Sequence, residues 1–263
     1  MPSTIDFLHE LFSLKGQVAV VIGATGTLGG ALAEGLAKAG AKVVVSGRNG
    51  AHGPERVAAI QQFGGDAHYV AAEATSRDSL HALLAGTLAH YGRADLLVNC
   101  AGVNSSTPYE EITDEDWARV LDTNLTATHL GCQVFAPHFA QNEHGGAILN
   151  IGSVTCDKPL SKVFAYSASK AAVVNLTKNL AREYAPQNVR VNVLCPGFFP
   201  AEQNRKILTE ERRRNIIEGT PMHRFGEPEE LVGAALLLLS RRAGSYITGA
   251  DLYVDGGFTA MRF

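Results

Sequence analysis

The chain has 263 residues, and 23 basic against 26 acidic side chains leave a formal net charge of −3 at neutral pH. This balance argues against a nucleic-acid-binding protein, which usually carries a basic face. Hydrophobic residues make up 46% of the chain, enough for a buried core, yet no apolar run approaches membrane-spanning length. The predicted partner is therefore a small molecule, with neither nucleic acid nor a membrane.

The cysteine and histidine residues indicate neither a disulfide framework nor a metal site. Cys100, Cys132, Cys156 and Cys195 lie far apart with no Cys-x-x-Cys pair, so reduced thiols in a cytoplasmic protein are expected. The nine histidines show no His-Glu-x-x-His spacing, and no catalytic metal is predicted. Residues 1–15 lack the basic and then apolar layout of a signal peptide.

Strands and helices are predicted to alternate along the chain. Short apolar runs rich in valine predict buried strands, and apolar residues at helical spacing predict helices. In chain order they are a strand at Gln17–Ile22, a helix at Leu28–Ala39, a strand at Lys42–Ser46, a helix at Pro54–Phe63, a strand at Ala67–Ala71, a helix at Ser79–Tyr91, a strand at Asp95–Val98, a helix at Asp114–Ala140, a strand at Gly146–Ile151, a helix at Val163–Tyr184, a strand at Val189–Leu194, a helix at Pro228–Ser240 and a strand at Leu252–Val254.

This alternation predicts the fold class. Strands that alternate with helices form a parallel sheet with helices on both faces. We therefore expect an α/β protein, a single Rossmann-type, doubly wound domain over residues 1–263. Ligands of such sheets bind beyond the carboxyl ends of the strands, so functional residues should lie in the loops that follow strands.

A glycine-rich loop follows the first predicted strand and opens the first predicted helix. Glycine lets the chain turn tightly and lets a pyrophosphate approach the backbone, while the helix start contributes free N–H groups and a partial positive charge. The context of strand, loop and helix predicts a dinucleotide site here. The loop reads Gly23-Ala24-Thr25-Gly26-Thr27-Leu28-Gly29.

A second motif lies near the start of the long helix predicted at Val163–Tyr184. Tyr166 and Lys170 are four residues apart and share one helical face. A lysine close to a phenol lowers its pKa, which suits a group that gives a proton to a forming alkoxide or takes one from an alcohol. Ser153, just after the predicted strand that ends at Ile151, offers a hydroxyl to the substrate oxygen.

Four further motifs accompany these two, and together they carry a resemblance. They are Trp117–Asn124, Asn99-Cys100-Ala101-Gly102, Pro196-Gly197 and Val254-Asp255-Gly256-Gly257. Over almost the whole chain the sequence resembles the classical short-chain dehydrogenases/reductases. The resemblance implies an NAD(P)-dependent oxidoreductase that acts on CH–OH groups and assembles as a homotetramer.

The resemblance also implies roles for individual residues. The catalytic set falls on Asn124, Ser153, Tyr166 and Lys170, with Asn124 holding a water in a proton relay and Lys170 binding the nicotinamide ribose. The implied cofactor contacts are Gly23, Thr25, Gly26, Thr27, Leu28, Gly29, Glu73, Ala74, Asn99, Ala101, Gly102, Tyr166, Lys170, Pro196, Gly197 and Phe199.

Three positions depart from the family pattern. The glycines are spaced Gly-x-x-Gly-x-x-Gly, where the family usually has Gly-x-x-x-Gly-x-Gly. Cys100 replaces the second Asn of the Asn-Asn-Ala-Gly element, and Glu73 stands roughly where an Asp contacts the adenine. None of these departures touches the proton chemistry.

The end of the second predicted strand bears on the choice of cofactor. An acidic residue there binds the ribose hydroxyls of NAD, but the segment Val45–Asn49 contains none. Ser46 and Arg48 can instead hold a 2′-phosphate, with Arg48 as its charge partner. NADP(H) is therefore favoured over NAD(H). The alternative is that Arg48 stacks on the adenine or faces solvent.

The substrate loop is expected at residues 198–226, where the family usually carries it. Gln203, Asn204 and Arg205 can hydrogen-bond sugar hydroxyls and pair with a carboxylate, and Asn104 is a further candidate contact. This stretch resembles the short-chain fructuronate reductases (D-mannonate oxidoreductases), which implies a sugar-acid substrate. The alternative for Glu202–Arg214 is a lid helix whose charges face water.

Other functions remain open at this stage. Gluconate 5-dehydrogenase, 4-deoxy-5-hexoseulose uronate reductase and 3-oxoacyl carrier protein reductase share the same core motifs. The last would need a basic docking surface, and only Arg212-Arg213-Arg214 offers one. A regulator that binds the cofactor without catalysis is disfavoured because Tyr166 and Lys170 are both present, and an isomerase that retains its nicotinamide is a further alternative.

Overall fold

The computed structural model describes residues 4–48, 50–199 and 209–260. Seven strands of this part form one sheet in the order β3-β2-β1-β4-β5-β6-β7, and every neighbouring pair is parallel. The predicted α/β architecture is confirmed. The strands are β1 (Val18–Ile22), β2 (Lys42–Gly47), β3 (Ala67–Ala71), β4 (Leu96–Asn99), β5 (Gly146–Ile151), β6 (Val189–Pro196) and β7 (Asp251–Val254).

Helices connect these strands, as a parallel sheet requires. None of the helices in the described ranges is both long and apolar enough to cross a membrane. They are α1 (Thr4–Phe12), α2 (Thr27–Lys38), α3 (His52–Gln62), α4 (Arg77–Tyr91), α5 (Asp114–Leu121), α6 (Ala127–Phe139), α7 (Phe164–Tyr184), α8 (Glu210–Gly219) and α9 (Val232–Leu239).

The sheet is buried on both faces, which explains why its strands are continuous apolar runs. Alternate residues of β1 point to opposite sides: Val21 joins the cluster that contains Leu32 of α2, and Val20 joins the cluster that contains Phe135 of α6. Helices therefore cover both faces, as predicted. The strand order reverses at β1 and β4, and this switch point is where such folds open a ligand crevice.

Several element boundaries differ from the predictions. The helix predicted over Asp114–Ala140 is interrupted by a π-helical turn at Asp122–Thr126, and the helix predicted at Pro228–Ser240 begins as a 3₁₀ turn. The helix α1 was not predicted. It depends on tertiary contacts, since the Ser240 hydroxyl donates to the carbonyl of Leu11 at 2.6 Å.

Candidate active site

A cavity of about 750 Å³ opens at the carboxyl ends of β5 and β6. The start of α7 and one face of α8 complete its walls. Asn104, Ser153 and Tyr166, all predicted to contact substrate, line this cavity. The structure thus brings together residues that are up to 62 positions apart, because parallel strands end at the same edge of the sheet.

Ser153 and Tyr166 face each other across the floor of this cavity. Ser153 leaves β5 and caps a short 3₁₀ turn, with its Oγ accepting the backbone N–H of Thr155 at 3.2 Å. Because α7 begins at Phe164, Tyr166 lies in its first turn. The Ser153 hydroxyl lies beside the Tyr166 phenol, and both line the cavity. The pair is therefore placed to hold one substrate oxygen between two hydroxyls.

Burial controls the protonation of this pair. Burial raises the pKa of Tyr166, and the neighbouring Ser153 hydroxyl only partly offsets this by lowering it. Desolvation dominates the pKa of Tyr166 in this structure, and the lowering expected from Lys170 stays a prediction. Tyr166 therefore holds its proton at neutral pH and is set up as a donor.

Lys170 is buried one helical turn beyond Tyr166. Its ammonium donates to the carbonyl of Ile151 at 2.8 Å and lies 5.8 Å from the centre of the Tyr166 ring. Burial lowers the pKa of Lys170. A Cβ on Gly102 would lie 3.3 Å from Asn124 Oδ1 and 3.6 Å from Lys170 Nζ. The glycine at 102 therefore leaves room for both polar side chains beside the backbone.

Asn124 lies in the π-helical turn between α5 and α6 and is fully buried. Its Oδ1 accepts the N–H of Val103 at 2.8 Å, and its Nδ2 donates to the carbonyl of Val103 and to Ser169 Oγ, each at 3.0 Å. Asn124 thereby joins the loop after β4 to α7. The water relay through Asn124 stays a prediction.

The glycine loop forms a cradle that fits a pyrophosphate. Gly23 has φ of +86°, and a Cβ there would lie 2.7 Å from the backbone N of Ala101. Gly26 N donates to the carbonyl of Gly23 at 3.1 Å, which closes the turn despite the unusual glycine spacing. Helix α2 begins at Thr27 with no side-chain cap, so its first N–H groups remain available to an anion.

Ser46 and Arg48, the residues predicted to distinguish NADP(H) from NAD(H), differ in their exposure. Ser46 is fully buried and its hydroxyl has no hydrogen-bond partner among the described residues, so the hypothesis that it binds a 2′-phosphate is not supported. Arg48 is well exposed, and its guanidinium lies 3.7 Å from Glu73 Oε2. Such exposed ion pairs contribute about 0–1 kcal/mol, so a phosphate can displace Glu73 from Arg48.

The wall predicted to lie against the nicotinamide is fixed by the C-terminal strand. Gly197 N donates to the carbonyl of Val254 at 2.9 Å, and a Cβ on Gly197 would lie 2.7 Å from the Cα of Asp255. The Asp255 carboxylate in turn accepts the N–H of Gly257 at 2.9 Å and the hydroxyl of Thr259 at 2.6 Å. Pro196 and Phe199 line the cavity beside this wall.

Three of the predicted cofactor contacts, Asn99, Ala74 and Ala101, are packed against other parts of the protein. Asn99 is buried, and its amide donates to Asn150 Oδ1 at 2.9 Å within the sheet. Ala74 is buried and Ala101 is partly buried beneath the glycine loop. Gln203, Asn204 and Arg205, the predicted sugar contacts, lie outside the described residues.

Arg212 is a cavity residue that the sequence analysis did not assign to the site. It is exposed on α8, and it is the charged side chain among the described residues that line the cavity. The described residues offer it no ion pair closer than 4 Å. Ile216 lines the same cavity. The spacing of four between Arg212 and Ile216 was the available signal, because it places both on one helical face.

Comparison with known proteins agrees with this geometry. The family model described as enoyl-(acyl carrier protein) reductase matches residues 23–259. Glucose 1-dehydrogenase 2 of Bacillus subtilis is 39% identical, over 94% of this chain and 96% of its own length. A gluconate 5-dehydrogenase from Burkholderia cenocepacia, solved with NADP and tartrate, is 31% identical with a TM-score of 0.92, over 97% of this chain and 100% of that chain.

A third relative shows how widely substrates vary within one fold. A 7α-hydroxysteroid dehydrogenase, solved with NADH and 7-oxo glycochenodeoxycholic acid, is 33% identical with a TM-score of 0.90, over 94% of this chain and 96% of that chain. Since these relatives are similar across nearly the full chain, the substrate differences must come from the residues around the cavity.

The buried serine and lysine and the partly buried tyrosine beside a dinucleotide cradle define an NAD(P)-dependent oxidoreductase that acts on CH–OH groups. The chain belongs to the classical short-chain dehydrogenase/reductase family, as the family match and the dehydrogenase relatives show.

Proposed function

We propose that this enzyme interconverts the ketone and the secondary alcohol of a small sugar acid, with NADP(H) as its cofactor. Arg212 carries the proposal. A guanidinium that faces the cavity and has no ion pair with the described residues is suited to a carboxylate, to which it can make two parallel hydrogen bonds. Asn104, Ser105 and Ser106 line the same cavity and offer partners for sugar hydroxyls.

One relative supports the sugar-acid class, because it is a gluconate 5-dehydrogenase whose structure holds tartrate, a hydroxy acid. The glucose 1-dehydrogenase relative, by its name, acts on a neutral sugar. Our preferred substrate pair remains fructuronate and D-mannonate, on the resemblance of the segment after Phe198. Gluconate oxidised at its fifth carbon is the second candidate, favoured by the gluconate relative.

The proposed mechanism follows from the geometry of the floor. Ser153 orients the substrate oxygen, and Tyr166 gives it a proton during reduction or accepts one during oxidation. Lys170 is held by its hydrogen bond to the carbonyl of Ile151. It keeps a positive charge near the Tyr166 ring while the phenol oxygen of Tyr166 loses its proton. The bound nicotinamide supplies or accepts the hydride.

The assignment of cofactor rests on Arg48. The second strand ends without an acid, and the exposed Arg48 forms an ion pair with Glu73. A 2′-phosphate offers Arg48 a more highly charged partner than a single carboxylate does. NADP(H) is therefore the proposed cofactor, with NAD(H) as the alternative.

A substrate panel tests the proposal. The purified enzyme is mixed with NADPH or NADH and with fructuronate, 5-ketogluconate or the neutral ketose fructose, and loss of the reduced cofactor is followed. We expect turnover of at least one keto acid with a KM at least about tenfold below that of fructose, since a charge-assisted pair contributes about 1.5–3 kcal/mol. Equal efficiency on fructose would refute the sugar-acid assignment.

A further inference from the structure

Two thiols lie directly beneath the catalytic serine. Cys156 ends the 3₁₀ turn Val154–Cys156 that Ser153 caps, and Cys195 lies in β6 beside it. A Cβ on Gly152 would lie 2.7 Å from Cys195 Sγ and 3.6 Å from Cys156 Sγ. Both sulfurs therefore converge on the same glycine, although they are 39 positions apart in the chain.

The surroundings of the two thiols are unequal. Cys156 is partly exposed, whereas Cys195 is fully buried. The proximity of the two thiols lowers the pKa of Cys156, against the opposing effect of its burial, and raises the pKa of Cys195. A backbone hydrogen bond from the turn at Ser153 and the charge of Lys170 lower the pKa of Cys156 further. An accessible sulfur that ionises readily next to a protonated one is the arrangement that oxidants attack.

We propose that Cys156 and Cys195 are a peroxide-sensitive pair whose disulfide switches the enzyme off. The Cys156 thiolate attacks the O–O bond of hydrogen peroxide and becomes a sulfenic acid, and the departing oxygen leaves as water after taking up a proton. The sulfur of Cys195 then attacks the sulfenic sulfur, an S–S bond forms, and a second water leaves. Two thiols are oxidised and one peroxide is reduced, and an added dithiol reverses the change.

The turn beneath Ser153 explains why this bond would affect catalysis. The backbone N–H of Cys156 donates to the carbonyl of Ser153 at 3.1 Å, and Ser153 Oγ accepts the N–H of Thr155. A disulfide brings two sulfurs to about 2.05 Å, so the turn must move towards β6. Shifts of about 1 Å at a reacting group can cost on the order of 100-fold in rate. The glycine loop is not part of this turn, so cofactor binding is expected to survive.

The test exposes the whole enzyme to hydrogen peroxide and follows turnover of any ketone that it reduces. Wild-type enzyme is expected to lose about 10- to 100-fold of its rate, to keep its affinity for NADPH, and to recover with dithiothreitol. Peptide mapping without reduction should find the peptides of Cys156 and Cys195 joined. The variants Cys156→Ala and Cys195→Ala should keep their rates under the same treatment.

Two other thiols provide matched controls. Cys132 is buried between Asn99 and Asn150, and burial raises its pKa to about 12, so Cys132→Ala should be inactivated like the wild type. Cys100→Ala should behave in the same way. A cross-link to Cys100, or inactivation of Cys156→Ala at the wild-type rate, would overturn the proposal. Peptide mapping needs no substrate, so its result is independent of the sugar-acid assignment.

Discussion

The floor and the outer wall of the active-site cavity are built in different ways. On the floor, Ser153, Lys170 and Asn124 are each less than 7% exposed and each is held by a hydrogen bond to the backbone. On the outer wall, Arg212 extends from a ten-residue helix with no residue of that helix fully buried. The proposed proton chemistry therefore lies with buried residues of α7 and of the turns beside the sheet, and the proposed substrate selection lies with an exposed element that can vary at small cost in stability.

Removal of the Tyr166 hydroxyl should have the largest effect, because it tests whether the floor carries the chemistry. In Tyr166→Phe the substrate oxygen loses its proton donor, so kcat should fall by about a thousandfold. Titration of NADPH by fluorescence should show affinity close to that of the wild type, since the glycine loop is untouched. Retained turnover would place the proton donor elsewhere.

The pH dependence should be the next largest effect. Burial raises the pKa of Tyr166, so the phenol is protonated at neutral pH and suited to ketone reduction. Alcohol oxidation needs the ionised form, so its kcat/KM should rise with pH by up to about tenfold per unit until the raised pKa is passed. Measurement of both directions between pH 6 and pH 10 checks this. An oxidation rate that is flat across that range would contradict it.

Replacement of Arg212 should weaken the binding of a keto acid and leave the proton transfer on the floor of the cavity unchanged. Arg212→Ala is expected to raise the KM for a keto acid by about 10- to 100-fold, because a charge-assisted hydrogen bond contributes about 1.5–3 kcal/mol. The kcat, and the KM for a neutral ketone, should change little. Arg213→Ala is the control, because its side chain is exposed on the same helix and does not line the cavity. Equal effects from both variants would remove Arg212 from the site.

The smallest predicted effect concerns Arg48, at the far end of the cofactor cradle. Arg48→Ala should raise the KM for NADPH by about tenfold and leave the KM for NADH unchanged, since only NADPH carries the 2′-phosphate. Glu73→Gln removes the ion-pair partner of Arg48 and should lower the KM for NADPH slightly. An unchanged KM for NADPH in Arg48→Ala would leave Arg48 without a role in cofactor choice.

The difference between the floor and the outer wall of the cavity also explains which features the sequence could predict. The strands of the sheet and the set Ser153, Tyr166 and Lys170 follow from local patterns, because apolar runs and fixed helical spacing bear directly on structure. The raised pKa of Tyr166 could not be predicted, since it depends on burial by elements that are distant in the chain. The burial of Ser46, which does not support its predicted contact with a 2′-phosphate, could not be predicted either, because its side-chain direction depends on how β2 sits in the sheet.

The wall could be predicted less well than the floor. Arg212 stood in a run of three arginines, and a charge run is most often a solvated surface. Only the packing of α8 over the cavity distinguishes Arg212 from Arg213. The proximity of Cys156 and Cys195 could not be predicted from the sequence, because the two residues become neighbours only when β5 and β6 pair.

The contact between Gly197 and Asp255 has a consequence for the order of synthesis. All four predicted catalytic residues are synthesised well before β7, yet the loop after β6 is packed against residues 254 and 255. A nascent chain that ends before β7 therefore has the residues proposed for proton transfer but lacks the support for Pro196 and Gly197, which are predicted to lie against the nicotinamide. We expect dehydrogenase activity to begin only when the last strand has joined the sheet.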